Sequence, residues 1–144
     1  MSVFSWPARV YWEDTDGGAI VYYANYLRFL ERSRTEWLRA HGHSQLELAR
    51  EPGILFTVVS LQVEYRAAAR LDDVLEITCE PRAEGAASLR FAQRIYRTAA
   101  GGAPKGLLVE AQVRVACVDA GSLRPRRLPQ FLRAAVAAEA TGHG

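Results

Sequence analysis

Residues 13–42 read EDTDGGAIVYYANYLRFLERSRTEWLRAHG, and the fold is read from the change of character midway through them. The first part is turn chemistry. Asp14, Thr15 and Asp16 bond readily to their own backbone, and the consecutive Gly17 and Gly18 tolerate positive φ. The second part is the one long helical signal near the front of the chain. Leu27, Leu30, Arg34 and Trp37, with Tyr26, Ser33 and Leu38 beside them, recur at i, i+3, i+4 spacing. Asn25 is placed to cap the start, and Gly42 after His41 is a natural stop. This predicts a helix from Tyr23 or Asn25 to His41.

Working outward, Ala8 to Glu13 mixes Val10, Tyr11 and Trp12 with charges and reads as a strand feeding the turn. Downstream, SQLELAREPG predicts a helical turn before Pro52 and Gly53. Four β-rich segments follow: Ile54 to Tyr65, Val74 to Pro81, Ser88 to Tyr96 and Gly106 to Val118. In the first, Val59, Leu61, Val63 and Tyr65 alternate with Ser60, Gln62 and Glu64, the pattern of a strand with one buried face. The breaks LDD, AEGAA and AAGGAP are loop sequences, PQFLRAAVAAEA closes as a helix, and TGHG reads as a loose tail. Short loops favour antiparallel pairing, and one long helix covers a face of the resulting five-stranded sheet. The expectation is a single α+β domain over residues 1–144.

Composition bounds the rest. The chain has 144 residues, 49% hydrophobic and 24% charged, which suits one core and excludes disorder. A net charge of +2 gives no case for nucleic acid. No apolar run reaches the roughly 18 to 20 residues that span a bilayer, and the start lacks the regions of a signal peptide. Cys79 and Cys117 are far apart without CxxC spacing. The expected setting is reducing and cytoplasmic, without membrane insertion.

Asp14 and Asp16 sit between a strand and a helix N-terminus. The first N–H groups of a helix have no intrahelical partner and carry partial positive charge, so they polarise a carbonyl oxygen without a metal. A carboxylate alongside attacks an acyl group or deprotonates water. Aspartate ordinarily titrates near pH ~4, so it is ready for either role at neutral pH. The plainer reading is a turn, with Asp14 or Asn25 as a cap.

Residues 13–42, with the later EYRAAARLDDVLEI, resemble the YbgC and 4-hydroxybenzoyl-CoA thioesterase family, acyl-CoA thioesterases of the hotdog fold. The shared pattern is a strand ending in Asp-x-Asp, a small-residue turn, an apolar pair, an aromatic pair, then Asn-Tyr-Leu opening the central helix. The match runs in order from Tyr11 to Cys117. It implies a sheet wrapped around one long helix, with Leu27, Leu30 and Trp37 buried. It implies that Asp16 is the catalytic carboxylate, as nucleophile or general base, and that the backbone N–H of Tyr23 is the oxyanion donor. It also implies homo-oligomers, dimers or tetramers, whose sheets join and whose active sites are shared. Two departures stand out. Tyr23 replaces the usual His, which a backbone donor survives, and Ala68 replaces the usual Pro of the basic turn.

On this reading the substrate is an acyl-CoA, coenzyme A enters as part of it, and no metal or redox cofactor is needed. Tyr22, Tyr23 and Tyr26, with Thr57, Val58, Val59 and Ser60 from the partner subunit, are the candidates for the acyl pocket. Arg66 and Arg70 suit the CoA phosphates; solvated loop arginines are the alternative, and Arg124, Arg126 and Arg127 divide the same way. Glu31 is the better second carboxylate, since Glu36 lies four residues after Arg32 and reads as a surface ion pair. His41 and His43 lack ligand partners for a metal, and no Ser-His-Asp set or phosphate loop can be assembled. A hotdog dehydratase would want a His in the Asp16 loop. The rival from another class is a non-catalytic acyl-thioester-binding or scaffold subunit, with an envelope-system (Tol-Pal) or acyl-carrier partner.

Overall fold

The computed structural model describes residues 3–98 and 104–142. The AAGGAP break lies outside them but for Pro104, as does the end of TGHG. Five strands, β1 (Phe4–Arg9), β2 (Ile54–Tyr65), β3 (Val74–Ala83), β4 (Ser88–Thr98) and β5 (Pro104–Asp119), form one sheet. Its order is β1-β3-β4-β5-β2, every pairing antiparallel. Helix α1 (Tyr26–Ala40) lies against it, α2 (Gln45–Arg50) leads into β2, and α3 (Gln130–Gly142) closes the chain. This is the hotdog arrangement that the resemblance implied.

Alternation along the strands explains the layering. Leu75, Ile77 and Cys79 of β3, Leu89, Phe91, Gln93 and Ile95 of β4, and Val109, Ala111, Val113, Val115 and Cys117 of β5 are all buried. From α1 they meet Tyr26, Phe29, Leu30, Ser33, Trp37 and Leu38. Two polar groups in this apolar layer are satisfied across it, as burial requires. Ser33 Oγ donates to the Ile77 carbonyl at 2.8 Å, and Gln93 Nε2 donates to the Leu30 carbonyl at 3.0 Å.

Several expectations need correcting. The first strand is Phe4–Arg9; Trp12–Asp14 form a 3-10 turn, because Asp14 Oδ2 accepts the Tyr11 N–H at 2.8 Å and rolls the chain out of the sheet. Asn25 does not cap α1: its side-chain amide donates to the Asp14 carbonyl at 2.9 Å. Leu27 is 36% exposed rather than buried, beside Leu30 on the side of the helix that faces the β2 edge. Glu36 pairs with Arg39 rather than Arg32. Within β2 a bulge between Val58 and Ser60 sets Val59 out of register, so the inward set is Val58, Leu61, Val63 and Tyr65, paired to Val115, Val113, Ala111 and Val109. Gly42 stops α1 at φ +89°, as its position predicted.

Candidate active site

The Asp-Gly-Gly turn is a small hairpin. Thr15 bridges to Val21, the Asp16 N–H donates to the Ile20 carbonyl at 3.1 Å, and the Tyr22 N–H donates to the Asp14 carbonyl at 3.0 Å. Residues 16–20 form its tip, with Gly17 at φ +89°, a conformation other residues adopt at a cost. The two carboxylates part company here. Asp14 is buried and holds the Tyr11 amide. Asp16 is exposed, with Oδ1 accepting the Gly18 N–H at 2.9 Å. That single bond fixes one carboxylate oxygen and leaves Oδ2 facing the chemistry available to it.

The hairpin returns directly into the 3-10 turn Tyr23–Asn25 and then α1. Tyr22 is extended at φ −64°, ψ 131°. The Tyr22 N–H is taken by Asp14, so Tyr23 opens the turn at the position where helical geometry leaves the amide without an intrahelical acceptor. The carboxylate that the sequence proposed therefore lies at the hairpin tip, and the proposed donor lies where the return arm opens the helix.

A second segment braces it. The Val21 N–H donates to the Ala69 carbonyl at 2.9 Å, the Leu71 N–H donates to the Ala19 carbonyl at 2.9 Å, and Ile20 bridges to Arg70. Arg97 supports this segment from β4, donating to the Ala68 carbonyl at 2.7 Å and to Asp73 at 2.9 Å. Arg70 is exposed beside the hairpin; its amide, not its guanidinium, is held by Asp73. Arg66 is on the outer sheet face, where its guanidinium donates to Glu110 at 2.8 Å and shares that carboxylate with Arg94. Arg126 is spent on the Pro52 and Gly53 carbonyls.

The tyrosines gather. Tyr22 and Tyr23 are exposed with ring centroids 5.0 Å apart, and Tyr65 lies 6.3 Å from Tyr23 and 5.5 Å from Tyr26. Tyr26 is buried and its hydroxyl accepts the Ala69 N–H at 2.9 Å; burial raises its pKa. Tyr65 is the residue that sequence reading left out: its hydroxyl donates to the Tyr23 carbonyl at 3.1 Å. A contact across 42 positions leaves no local signal.

Thr57, Val58, Val59 and Ser60 are all exposed on β2, the free edge of the sheet, and do not meet Asp16 within one chain. Between that edge and α1 lies a cavity of about 360 Å³ lined by Leu27, Leu30, Val58, Leu61 and Val113, with Glu31 among its polar walls. Glu31 accepts the Thr35 hydroxyl. Among the described residues no cluster of His, Cys, Asp and Glu is arranged to hold a metal, and no helix is long and apolar enough to cross a membrane. Cys79 and Cys117 are buried free thiols. His41 lies against Trp37 and within 3.5 Å of Glu139, and His43 stacks on Phe131, so both serve the packing of α3.

Comparison with known proteins agrees over nearly the whole chain. A family model described as thioesterase-like superfamily matches residues 10–136. An acyl-CoA thioester hydrolase YbgC from Escherichia coli O6:H1 is 48% identical over 131 residues, covering 91% of this chain and 93% of that protein. An acyl-CoA thioesterase YbgC from Haemophilus influenzae is 42% identical, covering 92% and 93%. Among solved structures, a probable thioesterase from Bartonella henselae superposes with a TM-score of 0.80 at 32% identity, over 89% of this chain and all of that one.

Proposed function

The chain belongs to the thioesterase-like superfamily and is an acyl-CoA thioesterase, and from that premise we propose that Asp16 and the Tyr23 backbone N–H carry out the hydrolysis. The overall reaction takes an acyl-CoA thioester and water to a free acid and CoA. Near-full-length identity to two thioesterases carries the activity. The hairpin that carries Asp16 at its tip and returns into a helix-opening amide supports the residue roles.

The chemistry asks little of the protein. As the thioester carbonyl carbon is attacked, negative charge collects on its oxygen, and a fixed amide at a helix N-terminus stabilises that charge. Asp16 supplies the other half. It attacks the carbonyl carbon itself, expelling CoA thiolate and leaving an acyl-carboxylate that water hydrolyses, or it takes a proton from the attacking water. No metal or redox cofactor enters either route.

The oligomer is part of the proposal. β2 is an edge strand carrying Val58, Val59 and Leu61, each 43% exposed or more, beside the partly exposed Leu27. A second copy laid along this edge would pair its open hydrogen bonds and cover those side chains. It would also bring the partner's residues 57–60 toward the open side of the cavity between α1 and β2. The acyl group then occupies the cavity by α1, lined by Leu27, Leu30 and Val58, and Arg70 stands near enough to the hairpin to meet a CoA phosphate. The two free thiols favour a reducing, cytoplasmic setting.

The test is thiol release from a panel of acyl-CoAs, aliphatic of graded length plus benzoyl types, with wild type and Asp16→Asn. Asn keeps the shape but neither attacks nor accepts a proton. The variant is expected to lose at least ~10²-fold, the scale of general acid–base catalysis. Wild type that binds acyl-CoA without releasing thiol would sink the residue assignment and favour a scaffold subunit.

A further inference from the structure

An amide that stabilises an oxyanion must be held in one orientation, and the Tyr23 side chain, 63% exposed, gives it little packing to do so. Backbone and side-chain bonds hold it instead. Upstream, the Tyr22 N–H is tied to the Asp14 carbonyl at 3.0 Å. Downstream, the Tyr23 carbonyl accepts the Tyr65 hydroxyl at 3.1 Å. Tyr65 is itself anchored at the end of β2, paired to Val109, with its ring against Tyr26 and edge-on to Tyr23. Tyr26 in turn receives the Ala69 amide. The turn that presents the donor is thus fastened to the sheet edge through one phenol.

We propose that Tyr65 is a positioning residue for thioester hydrolysis, its hydroxyl fixing the Tyr23–Asn25 turn so that the Tyr23 N–H points at the developing oxyanion. The inference rests on the Tyr23 donor assignment made above. Tyr65 touches no reacting atom. Burial keeps its pKa above that of a free tyrosine, so the hydroxyl is a donor throughout the neutral range. Because β2 is also the edge offered to a second copy, oligomer formation and donor orientation meet at this residue.

The experiment is steady-state kinetics and thermal unfolding of Tyr65→Phe beside wild type, Tyr23→Pro and Tyr65→Ala. Phe keeps the ring contacts with Tyr23 and Tyr26 and removes the one hydrogen bond. The expected result is a fall in kcat of about 3- to 10-fold, what one net hydrogen bond is worth, with KM and unfolding midpoint unchanged. Tyr65→Ala should lose more, because the ring goes too. Unchanged kcat in Tyr65→Phe overturns the proposal, and so does a rise in KM alone, which would make Tyr65 a binding residue. A kcat loss matched by a lowered unfolding midpoint also overturns it, since the role would then be structural. Should Tyr23→Pro, which lacks the N–H, stay fully active, the donor assignment fails; an inactive Tyr23→Pro beside a fully active Tyr65→Phe rejects only this inference.

Discussion

Asp14 spends Oδ2 on the Tyr11 amide and its carbonyl on both Tyr22 and Asn25, while Asp16, two positions on, keeps one oxygen uncommitted. The difference predicts opposite phenotypes. Asp14→Ala should destabilise by about 1 kcal/mol, because the part-buried Tyr11 amide loses its acceptor, and a denaturant titration measures it. Asp16→Asn should leave that titration where it was and remove turnover. For the donor, Tyr23→Phe should keep kcat, since no side-chain atom is used. Tyr23→Pro is the sharper variant: Pro suits the first helical position, and Tyr22 already has the extended backbone that precedes a proline. Compared with Tyr23→Ala, which also lacks the ring, it deletes the N–H, and the further loss expected is ~10²–10³-fold in kcat, that of one oxyanion-hole donor. Wild-type turnover by Tyr23→Pro would reject the amide.

Among the elements, α1 is held to the sheet by apolar packing with a few satisfied polar ties. Ser33 is the clearest, fully buried and donating to the Ile77 carbonyl on β3. Ser33→Ala should cost about 1 kcal/mol, read as a lowered midpoint with an unchanged slope in denaturant. Position 33 was legible as part of a helical stripe, but its hydrogen bond was not, because the acceptor lies 44 residues away. β2 gave the opposite result. Its bounds, Ile54 to Tyr65, were readable to the residue, yet the bulge after Val58 moved Val59 off the inward set. A period of two has no marker for one extra residue, so alternation alone carries the register only up to the bulge.

At the scale of the whole molecule, the β2 edge and the outer sheet face carry the predictions. Leu61→Asp places a charge on the inward side of the open edge; sedimentation should show wild type as a dimer or larger and the variant as a monomer with little thiol release. A monomeric, fully active wild type would remove the shared site. On the outer face, hydrogen bonds from Arg66 and then Arg94 hold the Glu110 carboxyl below its ordinary pKa. A carboxylate depressed in the folded state adds stability above its unfolded pKa, near 4.3 for Glu. That stability is lost as pH falls through the lower folded value. Thermal stability should therefore fall on acidification below about pH 4, and Glu110→Gln should reduce that dependence.

By itself the sequence determined the element order, the α1 stripe, the bounds of β2, and the place of two aspartates just ahead of a helix N-terminus, because each is written in spacing within a dozen or so residues. It misplaced β1, since one Asp14–Tyr11 bond rolled residues 12–14 into a turn that strand propensity would not show. Tertiary structure alone decided which aspartate stays free, which arginine is spent on a carboxylate, that Leu27 and Leu61 stay partly exposed at the open edge, and that Tyr65 reaches the Tyr23 carbonyl. The physical reason is the same in each case: a side chain's role depends on what else claims its hydrogen bonds and its surface, and those claimants arrive from strands far away in the chain.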